Sequence, residues 1–105
     1  MNKIVLKPGD KFKYSIPPSV NEYYFLYCGK VAVDGEIKAL CHKREKLFPN
    51  FSEYKTFPLN HLSKNGKLRH GVTLINQNPV QLEVSKRIAK KRKIKWIKEH
   101  EKEGI

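Results

Sequence analysis

Between residues 11 and 16 the chain alternates Lys11, Lys13 and Ser15 with Phe12, Tyr14 and Ile16. That is the two-residue period of a strand buried on one face and solvated on the other. Pro8-Gly9-Asp10 supplies a turn before it, and Pro17-Pro18 ends it, because neither proline can donate to a ladder. A longer run follows, Glu22 to Val33. Tyr23, Phe25 and Tyr27 point to one side, and Tyr24, Leu26 and Cys28 to the other. With both sides apolar or aromatic, either both are covered or one offers its rings to a ligand. Gly29 lies inside the run and predicts a bulge or corner. Asp34-Gly35 then separates two apolar runs, the signature of a tight hairpin whose turn needs positive φ.

Further along, Phe48-Pro49-Asn50-Phe51 predicts a turn, and Tyr54 to Leu59 a strand that Pro58 assigns to a sheet edge. Asn65-Gly66 marks a second hairpin, with Lys67 to Ile75 as the strand after it. The period then changes. Asn78 can cap a helix, Pro79 suits its first position, and Gln81 completes an N-x-x-Q capping pattern. Good helix formers continue to Glu103, and Gly104 suits the residue past the end. Such a helix is about 37 Å long. At about 100° per residue, Val80, Val84, Ile88 and Ile94 form one stripe, interrupted by Arg87 and Lys91. Leu82, Ala89 and Trp96 form a second line on another side, which leaves dimerisation open. The expectation is that the first two or three turns dock on the sheet and the later ones carry charge around most of their girth. The fold expected is therefore α+β. Residues 1–77 form a five- or six-stranded, strongly bent antiparallel sheet or SH3-like barrel, and residues 78–105 a basic C-terminal helix packed on it, one domain overall.

Charge changes this picture from architecture to partner. The chain has 105 residues and a net charge of +12, with 39% hydrophobic and 30% charged residues. That is a globular composition with a field that attracts polyanions: nucleic acid, an anionic membrane or an acidic protein. Between Lys86 and Lys98 stand eight basic side chains in thirteen positions and no acid, followed by Glu99, Glu101 and Glu103. A helix that used charge for its own stability would mix signs at i,i+4 and would not place acids at the negative end of its dipole. Phosphate contact explains the segregation, because neutralising phosphates releases counterions. The residues expected to bind nucleic acid, RNA ahead of DNA, are Lys86, Lys90, Lys91, Arg92, Lys93, Lys95 and Lys98, with Trp96 as a stacking contact or a core residue. Tyr23, Phe25 and Tyr27, with Lys11 and Lys13, would suit unstacked bases or else form sheet core. Membrane insertion wants a continuous apolar face, which Arg87 and Lys91 interrupt.

No reaction is assigned. The alternative within enzymes is a metal-independent, toxin-like endoribonuclease, in which His42, His61 and His70 with nearby Lys and Arg serve as base, acid and phosphorane cation. A third reading is a basic adaptor or inhibitor that docks an acidic protein surface. Cys28, Cys41, His42 and His61 carry metal-binding atoms but lack rigid zinc spacing, so no metal or cofactor is expected. Cys28 and Cys41 could bridge only if their strands pair. There is no Walker sequence, nucleophile elbow or HExxH. The N-terminal residues lack an apolar h-region, and no apolar run approaches the ~20 residues of a membrane span, so a cytoplasmic protein is expected, or a nuclear one if eukaryotic, where Lys90 to Lys93 would read as an import signal.

Overall fold

The computed structural model describes residues 5–15, 22–44 and 52–103. The proposed turn at 48–51 and the Pro17-Pro18 stop lie outside them. The described residues form strands β1 (Lys11–Tyr14), β2 (Tyr23–Val33), β3 (Glu36–Arg44), β4 (Ser52–Pro58), β5 (Ser63–Lys64), β6 (Lys67–Leu68) and β7 (Val72–Ile75), with helices α1 (Leu59–Leu62) and α2 (Pro79–Glu103). Five strands make one antiparallel sheet in the order β4-β3-β2-β1-β7, and β5 pairs with β6 as a separate hairpin. The order is linear, with β4 and β7 at the edges. The fold is thus α+β, and of the two expected forms it is the open bent sheet and not a closed SH3-like barrel.

Local chemistry accounts for these elements. Asp34 and Gly35 hold φ at 51° and 78°, and Asn65 and Gly66 at 55° and 75°. Positive φ at both central residues is the hairpin turn whose twist matches its strands. Pro58 ends edge strand β4, where a missing N–H costs no ladder bond. The strand expected from Lys67 to Ile75 is instead two. Gly71, at φ 92°, turns the chain after Leu68, so that β6 stays with its hairpin and β7 joins β1.

The β2 register slips between Tyr27 and Gly29, leaving Cys28 as the extra residue of a bulge. The slip changes which residues face which side. Leu26 and Cys28 before it, and Val31 after it, line one core with Leu40, Ala89 and Trp96, flanked by Val33, Tyr54 and Ile97. On the opposite side Phe12, Phe25, Tyr27, Ala39, Cys41 and Val72 pack with Leu6 and Leu62, the last brought by α1. The molecule has three layers: α2, the sheet, and a third made by α1 and the β5–β6 hairpin. Both sides of β2 are covered because its sequence is apolar on both.

The helix begins as its capping pattern predicts. Gln81 N donates to Asn78 Oδ1 at 2.8 Å, and Asn78 N to Gln81 Oε1 at 3.0 Å. Its docking face differs from expectation. Ala89 (0% exposed) and Trp96 (7%) are buried against β2 and β3, with Leu82 half-buried on the same side, while Val80, Val84, Ile88 and Ile94 are 74%, 50%, 42% and 44% exposed. The apolar line with the smaller residue wins because Ala89 lets the helix approach β2 closely. Contact therefore continues well beyond the first three turns, and the line that left dimerisation open is covered by the sheet.

Two glycines complete the seat. Gly9, at φ 101°, has the Cα and N of Lys86 2.9 Å from where a Cβ would stand, so helix backbone lies directly on that turn. Gly9 N donates to Tyr27 O at 2.9 Å, and Gln77 Nε2 donates to Gly9 O at 3.0 Å. The buried Ser85 hydroxyl donates to Gln77 Oε1 at 2.6 Å, which ties helix to turn through one amide. Gly29 plays the same part for Lys93, whose Cδ lies 3.2 Å from its Cβ position.

Candidate functional site

With Leu82, Ser85, Ala89 and Trp96 against the sheet, the opposite side of α2 is set by its 100° step. Arg87, Lys91, Lys95 and Lys98 fall there within about 80° of arc, spaced i, i+4, i+8, i+11, and form a ridge about 17 Å long. All four are exposed. Among the described residues, the ion pair involving an α2 cation is Lys86 Nζ to Glu83 Oε1 at 3.6 Å. Lys95 and Glu99, in register for such a pair, do not form one. Among the described residues the ridge is therefore cationic without internal neutralisation. Ile88 and Ile94 stand beside it, and Lys91, Ile94, Lys95, Lys98 and Glu99 border a shallow depression of about 310 Å³.

The eight residues expected on this site are not all brought together. Lys91, Lys95 and Lys98 are on the ridge. Lys90 is exposed on one flank, and Lys86 is exposed but paired to Glu83 with its backbone on Gly9. Arg92 and Lys93 are half-buried on the sheet side: Lys93 runs its stem over Gly29, and Arg92 acts on the Cys28 thiol. Trp96 takes the core role of its two alternatives; His100 stacks on its ring at 3.8 Å and donates from Nδ1 to its carbonyl oxygen at 2.8 Å. Arg87 belongs to the ridge although sequence reasoning omitted it. Its signal was the interruption it makes in the Val80–Ile94 stripe, which marks that stripe as solvent-facing.

The aromatic set expected for bases is rearranged. Lys11 and Lys13 pair with Leu26 and Tyr24 and so share the α2 side of the sheet, where Lys13 meets Glu22 at 3.4 Å. Phe25 and Tyr27 point to the opposite side and are 4% and 2% exposed. They are core, and Tyr23 alone of that set reaches solvent, at 38%.

The three histidines are divided. His42 is buried on the α2 side, edge-on to Tyr54 at 5.1 Å. His61 on α1 and His70 before β7 are exposed and lie with the third layer. A catalytic group needing all three is not assembled, because the sheet separates them. Among the described residues no three His, Cys, Asp or Glu side chains gather around a common point where a metal could bind. Cys28 and Cys41 sit on paired strands, yet they belong to opposite cores and are free thiols. Burial pushes the Cys28 thiol up to about 12, with Arg92 drawing it back, and burial followed by Cys28 raises Cys41. Neither is a nucleophile near neutral pH. No described helix is long and apolar enough to cross a membrane. Compared with protein-family models, curated proteins and solved structures, the chain matches none.

Proposed function

We propose that this protein binds nucleic acid, RNA ahead of DNA, by laying the outward ridge of α2 along the phosphate backbone. One observation carries the reading: Arg87, Lys91, Lys95 and Lys98 project together from the side of the helix that the sheet does not use, with no carboxylate paired to them among the described residues. Aligned ammonium and guanidinium groups repel one another unless an anion of matching linear charge lies beside them, and a polyphosphate is such an anion. Four phosphates neutralised on a duplex give a slope of log affinity against log salt near −4, from about −0.9 each. Changing Lys91, Lys95 and Lys98 together to glutamine makes that slope shallower by about three, whereas Lys86→Gln changes it less because Glu83 already attends that ammonium. Competition between RNA and DNA of one sequence ranks the two polymers. A slope unaltered in the triple variant removes the ridge from the interface.

A second reading has its own support. Val80, Val84, Ile88 and Ile94 are exposed beside the same cations, and phosphate gives them no apolar partner. Docking on an acidic protein groove would cover both. Such a complex survives nuclease during a pull-down; a nucleic-acid tether does not.

A further inference from the structure

The side of the sheet away from α2 opens at one end into a cavity of about 210 Å³, lined by Tyr14, Tyr23, Phe25, Phe57, Lys43 and Lys55. The pairing brings these residues together: Tyr14 is opposite Tyr23, Phe25 opposite Lys43, and Lys55 opposite Cys41, all pointing away from α2. The rings form a floor and wall. Tyr14 and Phe57 lie 5.5 Å apart and tilted by 35°, and Phe25 meets Phe57 edge-on at 5.3 Å. Tyr23 forms the lip, half in solvent, with Lys43 Nζ 4.8 Å from its ring centroid.

Size, shape and charge define the ligand class. The cavity is smaller than the roughly 300–1,000 Å³ clefts of drug-sized molecules, so it takes one flat ring system. Aromatic walls at right angles to one another favour stacking and edge contacts with a planar π-system. Lys55, exposed at the margin, suits a phosphate beside that ring. We infer that this cavity receives one unpaired nucleobase, with a flanking phosphate on Lys55. The inference takes its ligand class from the polynucleotide reading, but its place is independent of the α2 ridge, which lies on the other side of the sheet.

The test uses the full chain with two probes, a uridine tetranucleotide and a tetramer of the same sugar-phosphate backbone without bases, followed by NMR of the aromatic protons. The tetranucleotide should move the ring signals of Tyr14, Tyr23 and Phe57 saturably, and the abasic tetramer should leave them in place. Tyr23→Ala should weaken the tetranucleotide roughly 5- to 100-fold, the range expected for loss of one stacking platform, and Tyr23→Phe should restore it. Tyr23 is exposed enough for these variants to fold, and Lys55→Gln gives a second check through a several-fold loss. Unmoved rings, or equal shifts with the abasic probe, overturn the inference. The failures are distinguishable: a duplex salt slope that persists in the Lys91, Lys95 and Lys98 variant counts against the ridge, and ring shifts that do not occur count against the cavity.

Discussion

Gly9 and Gly35 both hold positive φ, but their surroundings differ. A Cβ on Gly35 meets nothing within 4 Å, so Gly35→Ala should cost about 1–2 kcal/mol from backbone strain alone. Gly9→Ala carries similar strain and also drives a methyl into the Lys86 backbone at 2.9 Å, so its loss of stability by urea denaturation should be clearly larger. The cysteines make a different prediction. Cys28 rises from 9.0 to about 12 in the folded protein, and Cys41 moves in the same direction. Between those values the folded chain holds protons that the unfolded chain has lost, so the contribution is complete below pH 9 and declines as pH rises toward 12. Urea midpoints should therefore fall between pH 8 and pH 10.5, and Cys28→Ala should reduce that fall. At pH 7.5 neither thiol should react with a thiol reagent until denaturant is added.

Among the elements, α2 is held by features of very different size. Its reciprocal Asn78–Gln81 cap should lose about 1 kcal/mol in Asn78→Ala, and Trp96→Ala should lose about 3–5 kcal/mol, both measured by denaturant titration. Ala89→Leu should cost about 1–3 kcal/mol because nothing yields between the helix and β2. The cap, both hairpin turns, the bulge at Gly29 and the edge position of Pro58 were legible in the sequence, because each rests on a residue with few conformational alternatives. The docked face of α2 was not. Its docked side contains the buried Ser85 and the half-buried Arg92 and Lys93, so it reads as polar, and what makes it fit is Gly9 in the turn before β1 and Gly29 on β2, more than fifty residues away in the chain. The break at Gly71 was hidden for a related reason: a glycine within a strand-like run signals a turn only once β7 has found β1. Arg87 was missed as a ridge residue by the same error, since choosing the wrong docked face turned the cations around with it.

On the scale of the whole molecule, the sheet separates two chemistries. One side supports an extended cationic ridge, and the other an aromatic cavity large enough for one ring. The sheet also explains why candidate histidines spread along the sequence do not meet: strand alternation sent His42 to one side while His61 and His70 stayed with the other layer. The body measures 39 × 32 × 28 Å, whereas the ridge spans only about 17 Å. At 3.4 Å per base pair, one molecule would touch about five pairs but shade roughly 8–12. Crowding on a long duplex would then be limited by collisions between neighbouring bodies, leaving uncontacted gaps even at saturation, and titration to a stoichiometric end point should give about one protein per ten base pairs.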